Sequence, residues 1–571
     1  MKVSAYIAQF IKNKGIDTVY QLQGAMIARI IDEMHKLDGI NIVSVHHEQA
    51  AAFAADAYAR IKNRPGIAIA TSGPGATNLI TGIGSCYFDS VPAIFITGQV
   101  NINEQKGNKP TRQIGFQETD IISIVKPITK ASYAITSADQ IPYVLDEAYR
   151  ISVEGRPGPV LIDIPMNIQN QEILDTFGIS EKGETKIDID DSKIEDFLFE
   201  FYELLKNSKR PLCLAGRGIR AAGMTDQFIS FIKKNNLPVV TSLLALDTVP
   251  YSHPNRIGFI GTYGNRWANY ALGNCDLLIV LGSRLDLRQT GVDVESFKQN
   301  KIIFHVDVDK AELNNRVIGC CALNIDLNVF FNHDDKSISF IERPNEWFAE
   351  IKNSYLLLPD TEELKNINGI NPNKFIHSLA AASHEAKAYT TDVGNNQMWA
   401  AQSIELQEDQ QFLSSGGMGA MGYSLPASIG ASFALNCSPV VCISGDGGFQ
   451  INIQELQTIA RNKLPIKIVI LNNHSLGMIR QFQDAYFNSC YESTVWGYSA
   501  PDFEKVAIAY GIDAFSISEP EEIIKGLELL WKNPRLPFLL NVNIDLHTNV
   551  YPKMIFGSPI TKMEYEINQN K

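Results

Sequence analysis

Short runs of unbroken apolar residues recur along the chain, alternating with stretches whose apolar positions return every three to four residues. The runs include 66-GIAIATSG-73, 93-AIFITGQ-99, 159-PVLIDIP-165, 211-PLCLAGRG-218, 276-DLLIVLGS-283, 301-KIIFHVDVD-309, 439-PVVCISGDG-447 and 465-PIKIVILNN-473. Without period-two alternation they suit strands buried on both faces, as in parallel sheets covered by helices. The opening MKVSAYIAQFIKNKG places Lys12 and Lys14 in an amphipathic pattern, which predicts a first helix and not a cleaved leader. No apolar stretch approaches the length of a membrane span. Two polar stretches, 176–193 and roughly 332–373, break the rhythm and read as linkers. The expectation is an α/β chain of three doubly wound, mostly parallel-sheet domains over residues 1–172, 186–340 and 366–571.

Length agrees with that division, because 571 residues exceed one ordinary hydrophobic core. Charge narrows the partners. The 63 acids and 50 bases give a net charge of −13, and no Lys/Arg block interrupts the balance, which argues against nucleic acid. Any phosphate must therefore be held by backbone N–H groups or a metal. The eight cysteines form no CxxC pair and sit mostly in apolar runs, among them Cys213, Cys275 and Cys442. They read as free thiols of a reducing cytoplasm.

The clearest chemistry lies near residue 446. The strand PVVCISG ends at Asp446-Gly447-Gly448, a helical stretch 452–463 follows, and the strand PIKIVIL ends at Asn472-Asn473. A strand–helix–strand crossover brings Asp446 and Asn473 together at the carboxyl edge of neighbouring strands, where open α/β sheets bind ligands. A carboxylate and a carboxamide oxygen, completed by phosphate oxygens and water, form the hard-oxygen set of Mg²⁺. Gly447 and Gly448 let the backbone approach a diphosphate. A second candidate is Glu48, at the start of the Ala-rich helical segment 46-HHEQAAAFAADAYAR-60. Its apolar neighbours place it in a dry site, suited to sharing a proton with a heterocycle nitrogen.

Together these residues resemble the acetohydroxyacid (acetolactate) synthase family of thiamine diphosphate enzymes. The GDG-to-NN segment is similar to the family's cofactor signature, and the Glu48 helix to its activating-glutamate helix. The segments 71-TSGPGATN-78, 116-FQE-118, 156-RPGPVLIDIP-165, 282-GSRLDLRQTG-291, 392-DVGNNQMWAAQ-402 and 412-FLSSGGMGAMGYSLPASIG-430 resemble further family motifs. The fold implied has pyrimidine-binding, central and diphosphate-binding domains. The resemblance implies that Glu48 hydrogen-bonds the aminopyrimidine, while Gln117 and Lys130 lie near the reaction centre. It implies cofactor contacts at Gly24, Ala25, Pro74, Asn78, Gln397, Gly419, Met421, Gly445, Asp446, Gly447, Gly448, Asn473, Ser475, Leu476, Gly477 and Met478. Met421 would wedge the cofactor into its bent shape. Mg²⁺ would be held by Asp446, Asn473 and the Ser475 carbonyl.

In the middle unit, Gly at strand ends and a strand-terminal acid fit a dinucleotide. There the resemblance implies a structural FAD on Arg156, Gly216, Gly218, Ser242, Leu243, Gly282, Arg284, Asp286, Arg288, Asp307 and Asp326. It further implies a homodimer or homotetramer with active sites between subunits, because Glu48 and the diphosphate site that it serves come from different chains.

The activity implied is carboligation: pyruvate loses CO₂ and its remaining two carbons attack a second carbonyl. Four departures from the family bear on that second substrate. Gly24-Ala25 replaces the usual Gly-Gly, and the loop 111-TRQIGFQE-118 is about three residues short. Phe482 stands where biosynthetic members carry a Trp that selects 2-ketobutyrate, and 261-GTYG-264 replaces a segment with Met-His. A smaller ring and a shorter loop would open the acceptor channel. The tail 555-IFGSPITKMEYE-566 resembles homologues acting in branched-sugar synthesis. The alternatives are therefore a larger acceptor such as a nucleotide-linked keto-deoxysugar, a pyruvate oxidase or decarboxylase, and a catalytically silent paralogue.

Overall fold

Each series of apolar runs closes into its own six-stranded, all-parallel sheet in the structure, a computed structural model that describes residues 1–174, 191–334, 346–364 and 366–564. The first sheet comprises β1 (Thr18–Leu22), β2 (Asn41–Ser44), β3 (Gly66–Ala70), β4 (Ala93–Gln99), β5 (Ala131–Ala134) and β6 (Pro159–Pro165), in the order β2-β1-β3-β4-β6-β5. The second comprises β7 (Pro211–Ala215), β8 (Val239–Thr241), β9 (Arg256–Phe259), β10 (Leu277–Leu281), β11 (Ile302–Asp307) and β12 (Cys321–Asn324), in the order β12-β11-β10-β7-β8-β9. The third comprises β13 (Ala388–Thr391), β14 (Gln411–Ser414), β15 (Val440–Gly445), β16 (Ile466–Asn472), β17 (Asp513–Ile517) and β18 (Phe538–Asn543), in the order β14-β13-β15-β16-β18-β17.

The first and third sheets thus share one topology, although no repeat is legible in the residues. In both, the chain leaves the two adjacent strands β1 and β3, or β13 and β15, in opposite directions. The second sheet follows the dinucleotide-binding order, with its reversal between β7 and β10. Such a reversal opens a crevice at the carboxyl edge, so the topology offers three sites, one for each sheet.

The expected first helix forms at Val3–Asn13, burying Val3, Ile7 and Ile11 on one face. The Ala-rich segment forms the helix Glu48–Lys62, started by the His47 side chain, which accepts from Gln49 N at 3.1 Å. Its alanines serve packing as well as dryness. The helix is buried on several sides, and a Cβ on Gly430, in the helix Ser424–Ala434, would stand 2.0 Å from the Ala54 carbonyl oxygen. The first and third domains accordingly share one apolar core.

Two boundaries differ from the expectation. The span read as the second linker contains the helix Glu346–Leu357, whose Trp347 and Ile351 complete the core of the middle sheet. The Trp347 indole donates to the Pro211 carbonyl at 3.1 Å. Charged residues on its outer face masked that helix. The chain end also leaves the third domain: Met554 and Ile560 pack into the middle core, and Arg266 donates to the Met563 and Glu564 carbonyls. The first expected linker falls largely outside the described residues. Among them, no helix is long and apolar enough to cross a membrane.

Gly430→Ala forces the two helices apart and should destabilise the fold by about 1–3 kcal/mol, the cost of overpacking. A lowered thermal midpoint is expected, and an unchanged one would contradict the helix contact.

Candidate active site

The first crevice gathers the N-terminal candidates. Glu48 opens its helix just after β2 and is only 6% exposed. Asn78, in the short helix Pro74–Asn78, donates Nδ2 to Glu48 Oε2 at 2.9 Å. A Cβ on Gly75 would lie 3.4 Å from Glu48 Oε1, so the carboxylate faces a glycine-lined space. Gly24 packs on Thr71, its notional Cβ 2.5 Å from Thr71 Cβ, and Ala25 begins the turn that follows. Gln117 adopts φ +67° and abuts Gly73, whose notional Cβ would be 2.9 Å from Gln117 Cβ.

Lys130 does not join them. It precedes β5, its N–H bonds the Pro159 carbonyl at 2.8 Å, and its Nζ donates to the Glu154 carbonyl at 2.6 Å. That is the amino edge of the sheet, a strand length away from the carboxyl edge that carries Glu48. The expectation of a role beside Gln117 is corrected accordingly.

The third crevice holds the second cluster. Gly445 ends β15 and Asp446 begins the helix Asp446–Ile451, while Asn473 follows β16 directly. Burial lifts the Asp446 carboxyl to about 6, opposed by the Tyr498 hydroxyl that donates to Oδ2 at 2.8 Å. Asn473 Oδ1 accepts from Ser475 N at 3.3 Å. A Cβ on Gly448 would stand 2.3 Å from Asp392 Oδ1, and one on Gly447 2.6 Å from Leu476 Cδ2, so only glycine leaves this turn open. Asp392, assigned no role from sequence, organises the site. Its carboxylate accepts N–H groups of Val393, Gly422 and Ser424, each at 2.9 Å, and so fixes the turn after Met421. A buried acid ending a strand beside the crevice was the available signal.

The turns at Asp446 and Asn473 border a cavity of about 650 Å³. Gln397, Gly419, Met421, Gly445, Asp446, Gly447, Gly448, Asn473, Ser475, Leu476, Gly477 and Met478 line one end of it. The other end enters the middle crevice, lined by Arg156, Gly218, Ser242, Leu243, Gly282, Arg284, Asp286, Arg288, Asp307 and Asp326. Gly216 lies beneath this wall, its notional Cβ 2.0 Å from the Gly282 carbonyl oxygen, so its glycine serves loop packing and not direct ligand approach. Arg156 is already paired with Asp309 at 3.0 Å and Glu312 at 2.6 Å. Asp286 caps the short helix Leu287–Thr290. Glu48, Pro74, Asn78 and Gln117 are not among the residues lining this cavity.

The donor set fits a diphosphate and a hard cation. Buried Ser475 Oγ and Asn395 Oδ1 lack partners among the described residues, and both residues line the cavity. Among the described residues no group of three or more His, Cys, Asp or Glu could hold a metal alone. A cation at Asp446 and Asn473 therefore requires oxygens from its ligand.

A second recess, of about 200 Å³, adjoins the cavity mouth and shares Thr262, Tyr263 and Arg288 with it. Phe482, Tyr486, Lys553 and Phe556 also line it. Two departures far apart in sequence, Phe482 and GTYG, thus meet Phe556 of the tail at one place, beside which Met554 N donates to the Thr262 carbonyl at 2.7 Å.

Comparison with known proteins gives three matches along the chain. Residues 1–124 match the thiamine pyrophosphate enzyme N-terminal TPP binding domain, 199–332 the central domain and 392–542 the C-terminal TPP binding domain. The probable acetolactate synthase large subunit of Methanococcus aeolicus is 36% identical, over 93% of this chain and 90% of that protein. The acetolactate synthase large subunit of Lactococcus lactis is 34% identical, over 97% and 94% respectively. The acetolactate synthase isozyme 2 large subunit of Escherichia coli K12 is 33% identical, over 99% of each.

Asp446→Ala should abolish the Mg²⁺ dependence of thiamine diphosphate binding, read by isothermal titration. An affinity equal to that of the unaltered chain would refute the metal role.

Proposed function

The chain belongs to the acetolactate synthase large-subunit family of thiamine pyrophosphate enzymes, and on that footing we propose that it joins the two carbons left when pyruvate loses CO₂ to a second carbonyl compound. It is an enzyme that forms carbon–carbon bonds. The reading is carried by the Asp446–Gly448 turn beside Asn473, a cradle whose glycines and lone oxygens suit a magnesium diphosphate. Thiamine diphosphate, when bound, supplies the carbanion chemistry that pyruvate alone cannot reach.

The chain's own groups bind, orient and move a proton. Gly447 and Gly448 would admit the diphosphate, Asp446 and Asn473 with the Ser475 carbonyl would hold Mg²⁺, and Met421, at the same cavity wall, would pack against the cofactor. Asp392 holds the Met421 turn through the backbone N–H groups of Gly422 and Ser424. Asn78 anchors Glu48 Oε2, which leaves Oε1 to exchange a proton with the aminopyrimidine in a site shielded from water. Gln117 packs on Gly73, which precedes the helix carrying Asn78.

The active unit is proposed to be at least a dimer, with Glu48 of one chain completing the Asp446 cavity of another. Two observations support this: the clusters do not share a cavity within one chain, and apolar residues beside both are exposed. Phe116, next to Gln117, is 80% exposed, and Met418, next to Gly419, is 42% exposed. A second copy would cover such surface.

FAD is proposed for the middle crevice as a structural group, since transfer between two carbonyl compounds involves no net redox change. The strand order and the buried Asp307, lifted to about 6 by desolvation, suit a dinucleotide ribose. Eight cysteines without a disulfide suit a cytoplasmic setting. A second reading keeps this chemistry with a larger acceptor, favoured by the recess in which Phe482, Thr262 and the tail converge.

Glu48→Gln should keep cofactor affinity and lose activity by about 10²-fold or more; near-normal turnover would sink the assignment. Mixing inactive Glu48→Gln and Asp446→Ala chains should restore about a quarter of the sites if each site spans two subunits. No recovery after subunit exchange would place each site within one chain. Product analysis with ¹³C-pyruvate, alone and with larger ketones, separates the acceptors. Rapid acetolactate formation from pyruvate alone favours the first reading, and slow homocoupling with fast cross-coupling favours the second.

A further inference from the structure

Arg217 stands between Gly216 and Gly218 in the loop after β7, at the strand reversal of the middle sheet, and lines the main cavity. Its Nε donates to the Asp89 carbonyl at 3.0 Å. Neither Nη1 nor Nη2 makes a hydrogen bond or ion pair among the described residues. Desolvation lowers its pKa to about 10, which still leaves it charged at neutral pH. Asp56 and Asp89 lie within electrostatic reach but bond Arg60, so the half-buried Arg217 fork carries no hydrogen-bonded anion, and a phosphate matches that fork with two hydrogen bonds.

The residue that holds Arg217 also holds the thiamine loop. Asp89 Oδ2 accepts from Gly416 N at 3.0 Å, and Oδ1 accepts from Gly417 N at 2.6 Å. Gly419, at φ +66°, and Met421 follow at the cavity wall. Gly417 is packed on Phe88, with its notional Cβ 2.8 Å from Phe88 Cβ, so residues 88–89 and 416–417 shift together or not at all.

We infer that Arg217 recognises the phosphate of a nucleotide in the middle crevice and that, through Asp89, nucleotide binding orders the loop carrying Met421, so that nucleotide and thiamine diphosphate bind with positive coupling. This rests on the nucleotide reading above and adds a residue and a regulation to it. A phosphate on the Nη atoms fixes the guanidinium, and Nε then fixes the Asp89 carbonyl, while Arg60 holds the Asp89 carboxylate. Restraining Asp89 also restrains the loop that carries Met421, so thiamine diphosphate gives up less conformational freedom on binding. Linkage makes the effect reciprocal.

The test is isothermal titration of the full chain with FAD, with ADP, and with thiamine diphosphate plus Mg²⁺ in the presence and absence of each nucleotide. In the unaltered chain a saturating nucleotide should tighten thiamine diphosphate binding by about 5-fold or more. ADP acting as well as FAD would assign the effect to the shared diphosphate, and FAD acting alone would extend it to the flavin. Arg217→Ala should weaken nucleotide binding by about 10-fold or more and bring the coupling to one, with thiamine diphosphate affinity in the absence of nucleotide unchanged. Asp89→Asn, which keeps the backbone carbonyl, should keep nucleotide affinity and lose the coupling. If that variant does not fold, Arg217→Ala decides alone.

Unaltered nucleotide affinity in Arg217→Ala would overturn the inference. So would an unaltered chain in which neither nucleotide binds or shifts thiamine diphosphate affinity. Thiamine diphosphate binding to the unaltered chain is read first, so a failure of the functional assignment shows as its absence, whereas failure of the coupling leaves it intact.

Discussion

A buried ionic network at Arg60 is the constraint on which the arrangement of the three domains depends. Its guanidinium, only 3% exposed, bonds Asp56 through Nε at 2.6 Å and Nη2 at 3.1 Å, Asp89 at 2.9 Å and the Ser414 carbonyl at 3.1 Å. Tyr423 donates to Asp56 Oδ1 at 2.6 Å. Such a network adds little net stability over an apolar packing, but each member becomes costly to misplace once its partners are dry. It therefore acts as a register. Asp56 and Asp89 come from the first domain, Ser414 and Tyr423 from the third, and the Asp89 carbonyl receives Arg217 of the second. The loop from Gly416 to Met421 is hung from this point.

Around that register, two sheets of the same strand order face different tasks. Each uses the crevice at its own strand reversal. The first places Glu48 and Asn78 beside a glycine-lined space, and the third places Asp446 and Asn473 around a glycine turn. In both, glycine is demanded by close approach of a neighbouring side chain: Thr71 against Gly24 and Gly75, and Asp392 against Gly448. The middle sheet follows a different order, and its glycines answer mainly to one another across β7 and β10.

Where local pattern was strong, the residues predicted their own placement. PVLIDIP and AIFITGQ are strands from end to end because burial on both faces leaves no ambiguous position. Strands such as β8 (VVT) and β12 (CALN) are too short, and β5 (ASYA) too polar, to stand out. Misreading followed from such elements. With β5 unread, nothing in sequence said which edge of the sheet Lys130 occupies. The helix Glu346–Leu357 was lost among charges because its apolar stripe is narrow and meets a core that reaches back as far as Leu212.

The sequence by itself determined the chemistry: a carboxylate and a carboxamide ending neighbouring strands, glycines between them, and a glutamate opening an alanine helix. Those signals are local, because turns, caps and strand ends are written within a few residues. Tertiary structure alone decided which of them share a cavity. It put Lys130 on the wrong edge, made Asp392 and Asp89 the residues that hold the loops, and brought Phe482, Thr262 and Met554 to one recess. Contacts of that kind arise between residues whose separation along the chain carries no information about their separation in space, since sheet order and domain docking, not sequence spacing, set which loops meet.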